Sequence, residues 1–179
     1  ALDTLFDLAS VSKLFTTTAF LSLVSAGKVN LDDPLVSMIP DFGRSGPRGL
    51  DGGQDPHTRI LLPVPDDVIG KTVDPDQITF RHLLTHTSGI APWRAVFQAA
   101  GPTPPPPDEQ DEFSIDLRRQ NALTAICGYP FVAQPGELIR YSDLGLMLVG
   151  ETVARLQGDP LNVAVRQRVV EPLELASPV

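Results

Sequence analysis

Residues 10 to about 26 carry apolar side chains on nearly every face of a helix. Leu14, Phe15, Ala19, Phe20, Leu21, Leu23 and Val24 cannot be gathered onto one stripe. A helix that is apolar all round belongs inside a protein, so the rest of the chain is expected to cover this one on several sides. Ser10 is suited to the N-cap or first turn, and Gly27 to the stop. A second strongly apolar helix is expected over 144–156, capped by Ser142 and ended by Gly158.

The stretch between them is broken up by punctuation. With 18 prolines and 14 glycines, much of the chain must be loop. A short helix is expected from Asp33-Pro34 to Met38, another over 80–87 with Thr79 as cap and Gly89 as stop, and a third over 92–100. A helix over 114–126 would turn Leu117, Ala122, Leu123 and Ile126 inward. Asp159-Pro160 opens an amphipathic helix to about Val170. Two long loops remain. Loop 41–77 has at most a short strand near 60–64. Loop 101–113 holds Pro102-Thr103-Pro104-Pro105-Pro106-Pro107, read as a stiff exposed segment rather than a recognition motif. No repeat is found. Strands do not alternate with helices, so a doubly wound parallel sheet is not expected. The chain reads as mainly α.

Composition narrows the function. The 179 residues carry a net charge of -8, and Lys and Arg never cluster beyond Arg118-Arg119. That balance argues against nucleic acid or anionic membrane as the main partner. No apolar run approaches the roughly 18 residues a membrane span requires. No signal peptide is visible, so the chain is expected to be soluble, with its compartment and oligomeric state open. The lone Cys127 cannot form an internal disulfide.

Three clusters could carry chemistry. In Ser10-Val11-Ser12-Lys13 the serine and lysine are one turn apart and share a helix face. A neutral lysine can take the hydroxyl proton and make serine a nucleophile. Desolvation and a positive helix N-terminus both favour neutral lysine. Spacing alone leaves a plainer alternative, a capping serine beside a snorkelling lysine. Ser25-Ala26-Gly27-Lys28 repeats the spacing, but it sits at a helix C-terminus beside a helix-breaking glycine. Tyr141-Ser142-Asp143 could offer a phenol for proton relay. It equally suits a helix start, with Tyr141 stapled to Leu146, Ser142 as cap and Asp143 complementing the dipole. His82 and His86 have the i, i+4 spacing of metal ligands, but no Glu lies between them and His57 sits in a loop, so no metal is expected. Ser88 lacks a Gly-x-Ser-x-Gly elbow.

The order of these pieces adds information. Leu5-Phe6-Asp7-Leu8-Ala9-Ser10-Val11-Ser12-Lys13 resembles the nucleophile segment of the serine β-lactamase and penicillin-binding-protein superfamily. The closest likeness is to its class C-like branch, with its esterase and transesterase relatives. His82-Leu83-Leu84-Thr85-His86-Thr87-Ser88-Gly89-Ile90 resembles that branch's helix and turn. Pro135-Gly136-Glu137 followed by Tyr141-Ser142-Asp143-Leu144-Gly145 resembles its second catalytic box. Glu171-Pro172-Leu173-Glu174-Leu175 resembles the segment that closes the next helix.

The resemblance implies a serine hydrolase or acyltransferase acting on a small ester or amide, with no cofactor. Ser10 would be acylated, Lys13 would be its base, and Tyr141 would carry the proton to the leaving group. Asp143 would support the lysine and the substrate. Its carboxylate in place of the more usual Asn would hold Lys13 more charged, shifting base work toward Tyr141. The family's third box, Lys-Thr-Gly or His-x-Gly after the tyrosine, is not found. Gly70-Lys71-Thr72 precedes Tyr141 and has the wrong order. The resemblance therefore implies that residues 1–179 are one partial domain, truncated at both ends. It would be the helical region of an α+β β-lactamase/transpeptidase-like fold lacking most of its antiparallel sheet. A non-catalytic remnant of such an enzyme is the rival reading.

Overall fold

The computed structural model describes residues 4, 6–106 and 108–175. Leu5 of the nucleophile segment and Pro107 of the proline run lie outside the described residues. The chain forms two compact units, Ala1–Leu31 with Leu146–Val179, and Asp32–Gly145.

In the first unit a 3-10 turn, Ala9–Val11, leads into helix α1, Ser12–Ser25. Gly27, at φ +67°, ends it as the composition suggests. The Gly27 amide donates to the Val24 carbonyl and the Lys28 amide to the Leu23 carbonyl, the paired closure of a Schellman motif. The unit also holds most of the helix Asp143–Gln157, the short helix Leu161–Val165, and a π-helical turn over Arg166–Val170 that interrupts the expected single last helix. α1 packs on these last two elements. Arg168 joins them, donating from Nε to Gln157 Oε1 at 2.7 Å and from Nη1 to Ser22 Oγ at 3.5 Å. Phe20, Leu23, Leu148, Val149, Val153 and Ala164 are inaccessible. The expectation of a buried α1, covered on several sides, is corrected here. Its buried residues are Ala19, Phe20 and Leu23, whereas Leu14 is 66% exposed and Leu21 44%.

The second unit contains 3-10 turns at Leu35–Ser37 and Pro40–Phe42. Its helices are α2 (Phe80–Leu84), α3 (Val96–Ala100) and α4 (Ile115–Gly128). Asp143–Gln157, which begins here, is α5, and Leu161–Val165 is α6. β1 (Arg48–Gly49) pairs antiparallel with β2 (Thr72–Val73), the one sheet among the described residues. No strand forms over 60–64. Leu61 makes one bridge with Gln54, and Ile60 and Leu61 stay exposed, since no neighbouring strand covers them. In α4 the inward residues are Ile126 and Cys127, while Leu117 is exposed.

Two buried arginines organise the long 41–77 loop. The Arg48 guanidinium lies 4.2 Å from the Phe42 ring centroid and 4.6 Å from that of Phe131. Its Nη1 donates to the carbonyls of Cys127 and Tyr129. These lie at the end of α4, where helix carbonyls lack intrahelical partners and partial negative charge collects. Burial lowers the Arg48 pKa to about 10, which still leaves it charged at neutral pH. Arg94, whose side chain is 4% exposed, donates from Nη2 to both Asp51 carboxylate oxygens at 2.6 and 2.7 Å. Beside it the Ala95 amide donates to Gln54 Oε1 at 2.9 Å. The loop is thus pinned to the start of α3 by one charged pair and one hydrogen bond from a backbone amide.

Removing one partner of a buried pair leaves the other charge uncompensated, at a cost of about 3 kcal/mol or more. Asp51→Ala should therefore lower the urea midpoint by an amount equivalent to about 3 kcal/mol. A midpoint unchanged from the wild type would show that Arg94 does not depend on Asp51.

Candidate active site

Ser10 occupies the 3-10 turn just ahead of α1. Ala9, before it, has φ +44°, uncommon for a residue with a Cβ. Its amide donates to Asp7 Oδ1 at 2.9 Å, and the Val11 amide donates to the Leu8 carbonyl at 2.9 Å. Together these bonds hold the left-handed residue that sets up Ser10. Lys13 Nζ donates to Ser10 Oγ at 3.2 Å. Ser10 is exposed and Lys13 half-buried, so the hydroxyl is open to solvent, and the desolvation expected for the lysine is partial. The second copy of the spacing has a different setting. α1 ends at Ser25, and Lys28 lies beyond the Schellman closure.

Tyr141 and Asp143 belong to the other unit, at the start of α5. The expected cap is present. Ser142 Oγ accepts the Gly145 amide at 3.1 Å and donates to the Ala91 carbonyl at 2.8 Å. The Asp143 amide donates to the Pro92 carbonyl at 2.9 Å. Upstream, the Gly136 amide donates to the Thr87 carbonyl, the Arg140 amide to the His86 carbonyl, and the Val132 amide to the Gly89 carbonyl. The turn after α2 is therefore the template on which residues 132–143 are laid down. Gly89 is required there. It has φ +72°, and a Cβ would lie 2.1 Å from the Ala133 carbonyl oxygen. Tyr141 is 50% exposed, and its ring lies 4.7 Å from that of His86, centroid to centroid.

The two histidines do not share a helix face. α2 ends at Leu84, and His86 lies beyond it at φ +58°. Each Nδ1 accepts a backbone amide, from Thr79 to His82 at 3.3 Å and from Ser142 to His86 at 3.2 Å. His82 completes a capping box with Thr79. The role of His86 beside Tyr141 is not readable from spacing, because 55 positions separate them. The only hint is a histidine, a residue type enriched at positive φ, just ahead of Thr-Ser-Gly.

The sequence profile of the Beta-lactamase family matches residues 2–179. Esterase EstB of Burkholderia gladioli is 34% identical over 174 residues, covering 96% of this chain and 37% of that protein. Among solved structures, a D-stereospecific amidohydrolase from Streptomyces sp. is 27% identical, with a TM-score of 0.58 over 93% of this chain and 41% of the other. D-amino acid amidase from Ochrobactrum anthropi SV3 is 24% identical with a TM-score of 0.60, covering 97% and 37%, a likeness of fold. The class defined by these matches is the serine β-lactamase and penicillin-binding-protein-like superfamily. The chain belongs to its Beta-lactamase family. It spans little more than a third of the length of the curated relatives it matches.

Because Ser142 Oγ serves two backbone partners in a buried setting, Ser142→Ala should cost about 1–2 kcal/mol of stability. Urea denaturation measures this. An unshifted midpoint would mean that the cap contributes nothing to holding the start of α5.

Proposed function

We propose that the protein containing this chain is a serine hydrolase or acyltransferase that works through an acyl-enzyme on Ser10, with a small ester or amide as substrate. The observation that carries the reading is the 3.2 Å Ser10–Lys13 hydrogen bond at an exposed helix start. In the acylating step Ser10 Oγ attacks the carbonyl carbon and its proton passes to Lys13 Nζ. The leaving alcohol or amine departs with a proton delivered through Tyr141. Water or a second alcohol then attacks the acyl-enzyme and restores the Ser10 hydroxyl. The positive end of α1 favours the developing alkoxide. The roles of Tyr141 and Asp143 rest on the order of motifs shared with the family. The esterase and amidohydrolase relatives support the substrate class.

We also read residues 1–179 as the helical part of a larger domain. The exposed apolar side of α1 supports this, as does the short span relative to the curated relatives. Acyl transfer needs two N–H donors on the oxyanion, and losing one costs about 10²–10³ in rate. In the family the second donor comes from the strand beside the third box, which this sequence does not contain.

Hydrolysis of a chromogenic ester by the full-length protein, with Ser10→Ala as the blank, tests both readings. Lys13→Ala should slow acylation by about 10²-fold or more, the usual weight of a positioned base. Tyr141→Phe should lower turnover without moving the urea midpoint. Full turnover in either variant would remove that residue from the mechanism. The 179-residue chain by itself should show no turnover above the blank, and robust Ser10-dependent hydrolysis by it would contradict its reading as a part.

A further inference from the structure

We propose that His86 is a positioning residue for Tyr141, acting as a neutral imidazole that clamps the 140–142 segment. The proposal rests on the catalytic reading of Tyr141 above, and it adds a residue that reading does not use. Three contacts converge from this one histidine. Its carbonyl accepts the Arg140 amide at 2.8 Å. Its Nδ1 accepts the Ser142 amide at 3.2 Å. Its ring lies against the Tyr141 ring at 4.7 Å between centroids and a 42° tilt. The residues before and after the tyrosine are thus tied to the same residue that touches its ring.

The backbone of His86 makes this possible. At φ +58° it occupies the left-handed region, which non-glycine residues enter rarely and histidine more readily than most. The conformation follows from the Leu83 and His82 carbonyls, which accept the His86 and Thr87 amides at 3.2 and 2.8 Å and close the end of α2. The strain is local and stable, as is common where a side chain must be aimed.

The bond to Ser142 also fixes chemistry. An Nδ1 that accepts an amide proton carries none of its own, so the proton of the neutral ring is on Nε2. Tyr141 is half-exposed, and a phenol in that setting without a clamp would sample several rotamers. A proton relay loses rate steeply when its donor is misplaced by about 1 Å. Holding the ring and both flanking amides from one residue removes that freedom, and should act on the chemical step rather than on substrate binding.

The test uses the full-length protein and two variants. His86→Phe keeps a ring for stacking but has no acceptor for the Ser142 amide. His86→Asn has no ring, but its side-chain oxygen can accept that amide, and Asn tolerates positive φ. His86→Phe should lower kcat for a chromogenic ester by about 10-fold or more with KM nearly unchanged, and His86→Asn should recover most of the loss. Nitrogen-15 NMR of labelled histidine should show wild-type His86 with its proton on Nε2. Exchange of the Ser142 amide should be faster in His86→Phe than in wild type or His86→Asn. Wild-type kcat in His86→Phe, equal damage in both variants, or a proton on Nδ1 would overturn the proposal. If Ser10→Ala or Tyr141→Phe leaves turnover intact, the catalytic reading fails instead. The NMR and amide exchange then decide by themselves whether His86 holds the segment.

Discussion

The backbone bonds between the turn at 86–92 and the segment 132–143 are the constraint on which the second unit depends. Residues 132–143 make no helix or strand of their own before α5 begins. They take their path from carbonyls presented by His86, Thr87, Gly89, Ala91 and Pro92. That presentation requires two left-handed residues, His86 and Gly89, within four positions. Gly89 is there because no Cβ fits against the Ala133 carbonyl. These carbonyls accept the amides of Val132, Gly136, Arg140 and Asp143 and the hydroxyl of Ser142, so the turn dictates the local structure.

The first unit solves a related problem with less scaffolding. Ser10 stands on a short 3-10 turn stabilised by the Asp7 carboxylate and a left-handed Ala9, and the first turn of α1 then carries Lys13 back to it. A hydroxyl placed this way meets the positive end of a 14-residue helix. The apolar residues of α1 divide into a buried set around Phe20 and an exposed set around Leu14.

Much of this was legible in the sequence, and the reasons differ by element. Caps and stops read well because they are local. Ser142, Thr79 and Gly27 each do at their helix ends what their chemistry suggests. The spacing of Ser10 and Lys13 put them within reach for the same reason. Periodicity failed where tertiary cover decides the outcome. Leu117 and Leu14 are apolar, yet exposed. The strand expected near 60–64 found no partner, while β1 and β2 formed across a separation that no local pattern encodes. The two buried arginines were also invisible, since nothing in the chain's pattern says that Arg48 will lie between Phe42 and Phe131 or that Arg94 will meet Asp51. The i, i+4 spacing of His82 and His86 assumed a helix that ends at Leu84, so two residues with separate structural roles looked like a pair.

Acylation of Ser10 is the central step of the proposed function. The most direct measurement is the intact mass of the full-length protein after reaction with a fluorophosphonate, followed by peptide mapping of the adduct. One adduct on the peptide containing Ser10, formed more slowly when Lys13 is replaced by Ala, is the predicted result. Label on Ser25 or Ser88 with Ser10 unmodified would contradict the account.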